Sequence, residues 1–171
     1  EIVSDAALVD IVEQGFDAGV RFGRQLAQDM IALPLGPPLR YVIVCSPAYA
    51  EARGVPRSPH ELIAHDCIRR RFPGGTLAAW EFENAGETLE ITPEGRLTLG
   101  SAHQEVQAAL AGQGIAHVFD DYARADIEAG RLIELLPDWT RKLPSWFLYY
   151  PNRRHPSAAM RAFIAHVKAG Q

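Results

Sequence analysis

The sequence predicts an α/β domain with a mixed sheet. β-prone runs alternate with amphipathic helical stretches along most of the chain, several helix starts carry capping residues, and the middle alternates apolar and polar residues with period two. The 171 residues are 47% hydrophobic, enough for a sizeable core, and this length allows one domain or two small ones.

Taken in order, Ser4 is placed to cap a helix whose stripe is Ala7, Leu8, Ile11 and Val12, ending near Gly15. Phe16 to Val20 and Met30 to Leu35 read as short strands. Pro37-Pro38 breaks the chain before the strongly β-prone Tyr41 to Val44. Ser46-Pro47 sets a capping hydroxyl before a first-turn proline, and Gly54 closes that helix. Ser58-Pro59-His60-Glu61 and Ser101-Ala102-His103-Gln104 both read as capping boxes. The helix opened by Ser101 carries Val106 and Leu110 and ends at Gly112 or Gly114. Trp80 to Glu83, a turn at Ala85-Gly86 and the return Thr88 to Ile91 form a hairpin. Gly95 to Leu99 and Gly114 to Phe119 follow as strands, then a helix from Asp121 to Ala129 closed by Gly130. Ser145 to Tyr150 is apolar enough for a core strand. Ser157 caps a last helix with Met160, Phe163, Ile164 and Val167 on one face.

Charge and composition narrow the function. The net charge of −4 argues against a broad phosphate-binding surface, so if the protein acts on DNA, other residues touch it. No apolar run reaches the roughly 20 residues of a membrane span. Glu1 to Asp5 show no signal-peptide pattern, and without an initiator Met the chain reads as an internal piece of a longer one. Cys45 and Cys67 lie in apolar, strand-like runs and read as buried reduced thiols, with a redox pair as the alternative. There is no G-x-S-x-G elbow, glycine-rich phosphate loop or H-E-x-x-H, and His60 and His65 are spaced five apart, off one helix face. No metal, cofactor or catalytic residue is expected. Arg69-Arg70-Arg71 reads as an ordinarily solvated run, alternate arginines facing opposite sides of a strand.

Several segments, in order, resemble one family. They are Val9 to Gly23, Leu33 to Gly36 with Val44 to Tyr49, His60 to Arg69, Ala109 to Ala116, Gly130 to Leu132, Leu135 to Trp139, Arg153 to His155 and Arg161 to Ile164. Their order and content are similar to the effector-binding domain of LysR-type transcriptional regulators, across essentially the whole chain. The resemblance implies a type 2 periplasmic-binding-protein-like fold: two α/β subdomains with mixed sheets, two crossing strands and an interdomain cleft. Residues 1–41 plus 147–171 would form the first subdomain and 42–146 the second. The family's helix-turn-helix domain, and the first strand and helix of the sensing domain, are expected to be missing. Function by resemblance is effector sensing without catalysis, in a cytoplasmic homodimer or, in the intact protein, a tetramer that meets DNA only through the absent domain. A solute-binding protein of periplasmic type is the alternative, and an enzyme on this scaffold a third reading.

The resemblance also implies where a small, carboxylate-bearing effector would sit, at strand ends and helix starts facing the cleft. Helix N-termini offer unpaired N–H groups and partial positive charge there. Ser4 and Ser101 hold such positions, and each is also expected to cap its own helix. Ala102 follows Ser101, and His103 is either a second donor or an exposed helix histidine. Arg21 and Phe22 should emerge at the cleft edge, Arg21 as counter-ion or as an ordinary ion-pair partner. Where the family commonly carries Leu-Leu-Pro, this chain has His117-Val118-Phe119. A cleft-facing Phe119 would favour a planar or apolar effector, and a core-facing one would only fill volume.

Overall fold

The computed structural model describes residues 1–3, 10–22, 30–152 and 156–169. In chain order the strands are β1 (Gly19–Phe22), β2 (Met30–Leu35), β3 (Leu39–Cys45), β4 (Ile68–Arg70), β5 (Trp80–Asn84), β6 (Glu87–Ile91), β7 (Leu97–Leu99), β8 (Ala116–Phe119), β9 (Ile133–Leu135), β10 (Lys142–Leu143) and β11 (Trp146–Pro151). The helices are α1 (Pro47–Arg53), α2 (Ala102–Leu110), α3 (Asp120–Glu128) and α4 (Ala158–Ala169), with 3-10 turns at Pro59–Ala64 and Pro137–Trp139. The chain forms two compact units, Glu1–Leu39 with Leu143–Gln171, and Arg40–Lys142.

In the first unit β11 pairs antiparallel with β1 on one edge and β2 on the other. Leu148 and Tyr150 of β11, with Leu33 and Leu35, pack against Met160 and Ile164 of α4. The Met160 amide donates to Ser157 Oγ at 3.1 Å, the expected cap. Phe163 departs from expectation and is exposed. At 100° per residue, Met160, Ile164 and Val167 make a narrow line with Phe163 at its edge. The first strand also differs from the expected Phe16 to Val20. Pairing with β11 runs from Gly19 opposite Tyr149 to Phe22 opposite Trp146, so the ladder rather than the apolar Phe16 sets its limits. Ser4, Ala7 and Leu8 lie outside the described residues, as do Arg153 to His155. From Asp10 onward the predicted helix is a turn that closes at Gly15 as a Schellman motif, the Gly15 amide donating to Val12 O and the Phe16 amide to Ile11 O.

The second unit is built on β3, antiparallel to β8 on one side and to β9 on the other. β4 and β7 run parallel, and a parallel bridge from Cys67 to Ile115 joins them to the segment leading into β8. Two cores flank this assembly. One packs Val42, Val44, Ile68, Val106, Ala116 and Val118 beneath α2 and α3, and the other packs Ile43, Tyr49, Leu62, Trp80, Phe82 and Ile115 beneath the β5–β6 hairpin. Both cysteines are in or beside these cores, and burial pushes their thiols up to about 11 and about 12. Both stay protonated at neutral pH, which suits packing rather than redox reactivity.

Local signatures hold with two corrections. Ser46 and Ser101 cap as expected, accepting from the amides of Tyr49 and Gln104. Ser58 makes no side-chain cap, because Pro59–Ala64 is a 3-10 turn, and Glu61 instead accepts from the Arg57 amide at 2.9 Å. Gln104 likewise reaches the Gly100 amide, one residue before the cap. The hairpin turn places Ala85 at φ +49 and Gly86 at +88, the two positive angles of a type I′ turn. A Cβ in the left-handed region costs roughly 1–2 kcal/mol. Ala85→Asn is therefore expected to raise stability by about 1 kcal/mol, read as a higher urea midpoint with an unchanged slope.

Candidate functional site

The strand directions bring several chemically capable residues to one end of the second unit. β4 and β7 are parallel, with Arg70 beside Leu99, and Gly100-Ser101 leads directly into α2. β8 ends at Phe119, and because β3 runs the other way, its early residue Tyr41 lies opposite Phe119. The C-terminal ends of β7, β4 and β8 thus meet the start of β3 and the N-terminus of α2. In open α/β sheets, carboxyl strand ends are where ligands bind.

Of the predicted residues, Ser101, Ala102, His103 and Phe119 belong to this end. Ser101 and His103 are exposed, Ala102 is buried against the core, and Phe119 is half-buried. Ser101 Oγ is used by the Gln104 amide at 3.4 Å, while the first-turn N–H groups keep the positive end of the helix dipole. Arg21 and Phe22 belong to the first unit. The Arg21 guanidinium sits 4.9 Å from the centre of the Tyr149 ring, and Phe22 meets Trp146 edge-on at 5.8 Å. The ring has room to lean over the neighbouring backbone because Gly19 has no Cβ: one there would lie 2.4 Å from Tyr149. Ser4 lies outside the described residues.

Phe119 does not act alone. Its ring stacks on Tyr41 at 4.4 Å, and Tyr41 stacks in turn on His117 at 4.3 Å. Trp80 at 5.2 Å and Phe82 at 5.7 Å complete the enclosure of His117. Burial, reinforced by the positive charge of Arg70, drives the His117 imidazole down to about 3, so it is neutral at physiological pH. Behind this aromatic row, Arg70 Nε lies 3.1 Å from Glu105 Oε2, and Arg70 Nη2 donates to the His117 carbonyl at 3.5 Å. The Arg70 side chain retains 16% exposure and Glu105 only 1%. Burial raises the Glu105 carboxyl to about 7 even though Arg70 pulls it the other way. The run Arg69 to Arg71 is therefore not simply solvated. The alternation that turns Arg71 outward sends Arg70 under α2.

Sequence reasoning missed Tyr41, Arg70, Glu105 and the enclosure of His117. A signal existed for Glu105, which shares the stripe of Ala102, Val106 and Ala109 at helical spacing. Tyr41 and Trp80 gave none, since their roles depend on strand pairing distant in sequence. Ser101→Ala is expected to cost about 1 kcal/mol through the lost cap, measured by urea denaturation, with Gln104 still holding the Gly100 amide.

Residues 1–171 match the family described as the LysR substrate binding domain. The chain belongs to that family. It is 39% identical over its whole length to an uncharacterized HTH-type transcriptional regulator, YcaN, of Escherichia coli K12, covering 56% of that protein. It is 45% identical over 156 residues to a putative transcriptional regulator of Pseudomonas aeruginosa, covering 91% of this chain and 51% of the other. This LysR domain thus spans about half the length of the curated relatives it matches. Among solved structures it resembles the regulatory domain of AphB from Vibrio vulnificus, with a TM-score of 0.83 at 27% identity over 100% of this chain and 82% of that one. The fold is the mixed α/β, type 2 periplasmic-binding-like fold of LysR regulatory domains, and the relatives are named as transcriptional regulators rather than transport proteins. No helix among the described residues is long and apolar enough to cross a membrane.

Proposed function

We propose that this domain senses a small anionic metabolite, a carboxylate, and has no catalytic role. The observation that carries the reading is the meeting of three carboxyl strand ends with the Ser101-capped start of α2, beside the Tyr41–Phe119 aromatic pair. First-turn N–H groups suit a carboxylate, His103 adds a donor, and the ring pair suits a planar body. Arg21 as counter-ion, with Phe22 and Ser4, is a further effector contact in this reading. Effector binding would favour one conformation over another and so alter the geometry of a homodimer, or of a tetramer in the intact regulator. DNA contact belongs to a helix-turn-helix domain beyond these residues, and the setting is cytoplasmic.

A thermal-shift titration with small carboxylates tests this. A ligand at a hundred times its Kd stabilises by about 2.7 kcal/mol. A saturable shift with at least one carboxylate, sharply reduced in Ser101→Ala and in Arg21→Ala, is the expected result. The proposal fails if the folded protein shifts with none, or if both variants shift as the parent does.

A further inference from the structure

We infer that Arg70 is the cation that receives the effector's negative group in the second unit, and that Glu105 positions it and takes up a proton when the effector binds. The inference rests on the sensing role proposed above and assigns the charge recognition within it. Arg70 is the last residue of β4, beside Leu99 of β7, which lies two residues before Ser101, the cap of α2. A guanidinium carries five N–H donors. Here Nη2 makes one long bond to the His117 carbonyl, and Nε lies close to Glu105 Oε2 without aligning to it. Among the described residues, Arg70 Nε and Glu105 Oε2 are both buried without an aligned hydrogen-bond partner. Arg70 is thus held from behind by a carboxylate solvent hardly reaches, while its own side chain stays partly open.

Buried carboxylate and incoming anion compete for the same cation. With the site empty, Arg70 favours the ionised form of Glu105 against the cost of burial, which still holds the carboxyl at about 7. An anion on the open side of Arg70 weakens that support, and Glu105 takes a proton from solvent. The other groups around Glu105 do not replace Arg70. His117 on β8 is neutral, Tyr41 on β3 is a phenol raised further by burial, and β7 offers only Leu97, Thr98 and Leu99. On α3, Asp120 is bound by Arg40 and Arg124. Arg69 and Arg71 flank Arg70 on β4, and His103 lies on the first turn of α2.

The test is calorimetric titration of the whole chain with benzoate and with acetate at pH 6 and pH 8, each in two buffers of different ionisation enthalpy. Binding about fivefold tighter at pH 6 than at pH 8, with proton uptake seen at pH 8, corresponds to the Glu105 carboxyl, at about 7 in the free protein, being raised by about one pH unit on binding. Glu105→Gln removes the competitor and should bind at pH 8 as tightly as the parent does at pH 6, with no proton uptake. His103 is unchanged in that variant, so the lost pH dependence belongs to Glu105. Arg70→Gln alone strands a buried charge, so the decisive variant is Arg70→Gln with Glu105→Gln, expected to lose at least tenfold in affinity. Parent-like affinity in a folded double variant, or pH-independent binding by the parent, overturns the inference and leaves the sensing role standing. If the parent binds neither carboxylate, both fall.

Discussion

Glu105→Gln is expected to change the pH dependence of stability from nearly flat to steeply rising between pH 4.5 and 6.5. Two buried groups oppose one another in the parent. Burial lifts the Glu105 carboxyl from 4.5 to about 7, so the folded state binds its proton more tightly than the unfolded chain does. Its contribution is fully present below pH 4.5 and is lost as pH rises towards 7. His117 has the reverse sign. Its imidazole falls from 6.5 to about 3, so its contribution is present above pH 6.5 and is lost as pH falls towards 3. Where the windows overlap the slopes offset. The limbs span on the order of 3 kcal/mol for Glu105 and 5 kcal/mol for His117, large against a typical stability of about 5–15 kcal/mol. Glu105→Gln leaves only the His117 limb, and His117→Phe, which keeps an aromatic in its enclosure, leaves only the Glu105 limb, falling from pH 4.5 to 7. Urea midpoints at four pH values, with unchanged slopes, separate the three curves. Parallel profiles for the parent and Glu105→Gln would contradict the assignment.

The second large effect concerns the backbone that aligns β4 with β8. Gly114 has φ +153, and a Cβ there would lie 2.2 Å from the Asp66 carbonyl oxygen. That carbonyl is fixed by the Ile115 amide at 2.9 Å, and the Ile68 amide binds Ile115 O at 2.8 Å. Neither strand can withdraw without breaking the parallel bridge. Gly114→Ala is therefore expected to cost about 3 kcal/mol or more and to lower the melting temperature by several degrees. Gly74 is the control, since a Cβ there meets nothing within 4 Å, and Gly74→Ala should change stability by no more than about 1 kcal/mol. Equal melting temperatures for the two variants would show that the bridge is not rigid.

Most elements were legible because their signals are local. The Ser46, Ser101 and Ser157 caps, the Ala85-Gly86 turn and the Met30–Leu35 strand each depend on a few adjacent residues, and each was found where expected. What failed depended on partners far along the chain. Phe16 was apolar enough for a strand, but Tyr149 fixed where β1 began. Ser58 had the right neighbours for a capping box, but the turn tightened to 3-10. The candidate site divides the same way. Ser101 to His103 were visible from the N-terminal signature of a helix. Arg70 became visible only once β4 was paired with β7, and Glu105 once α2 lay across that pair. A polar residue inside an apolar helical stripe is the cue that connects the two levels, since buried charge needs a partner.

The most direct test of an anion-binding end on the second unit is an amide NMR titration of the chain with benzoate. Saturable shifts concentrated at Gly100 to His103, Arg70 and Phe119 are expected, with the β5–β6 hairpin unaffected. Shifts confined to the hairpin, or none at the start of α2 up to millimolar benzoate, would contradict an anion-binding end there.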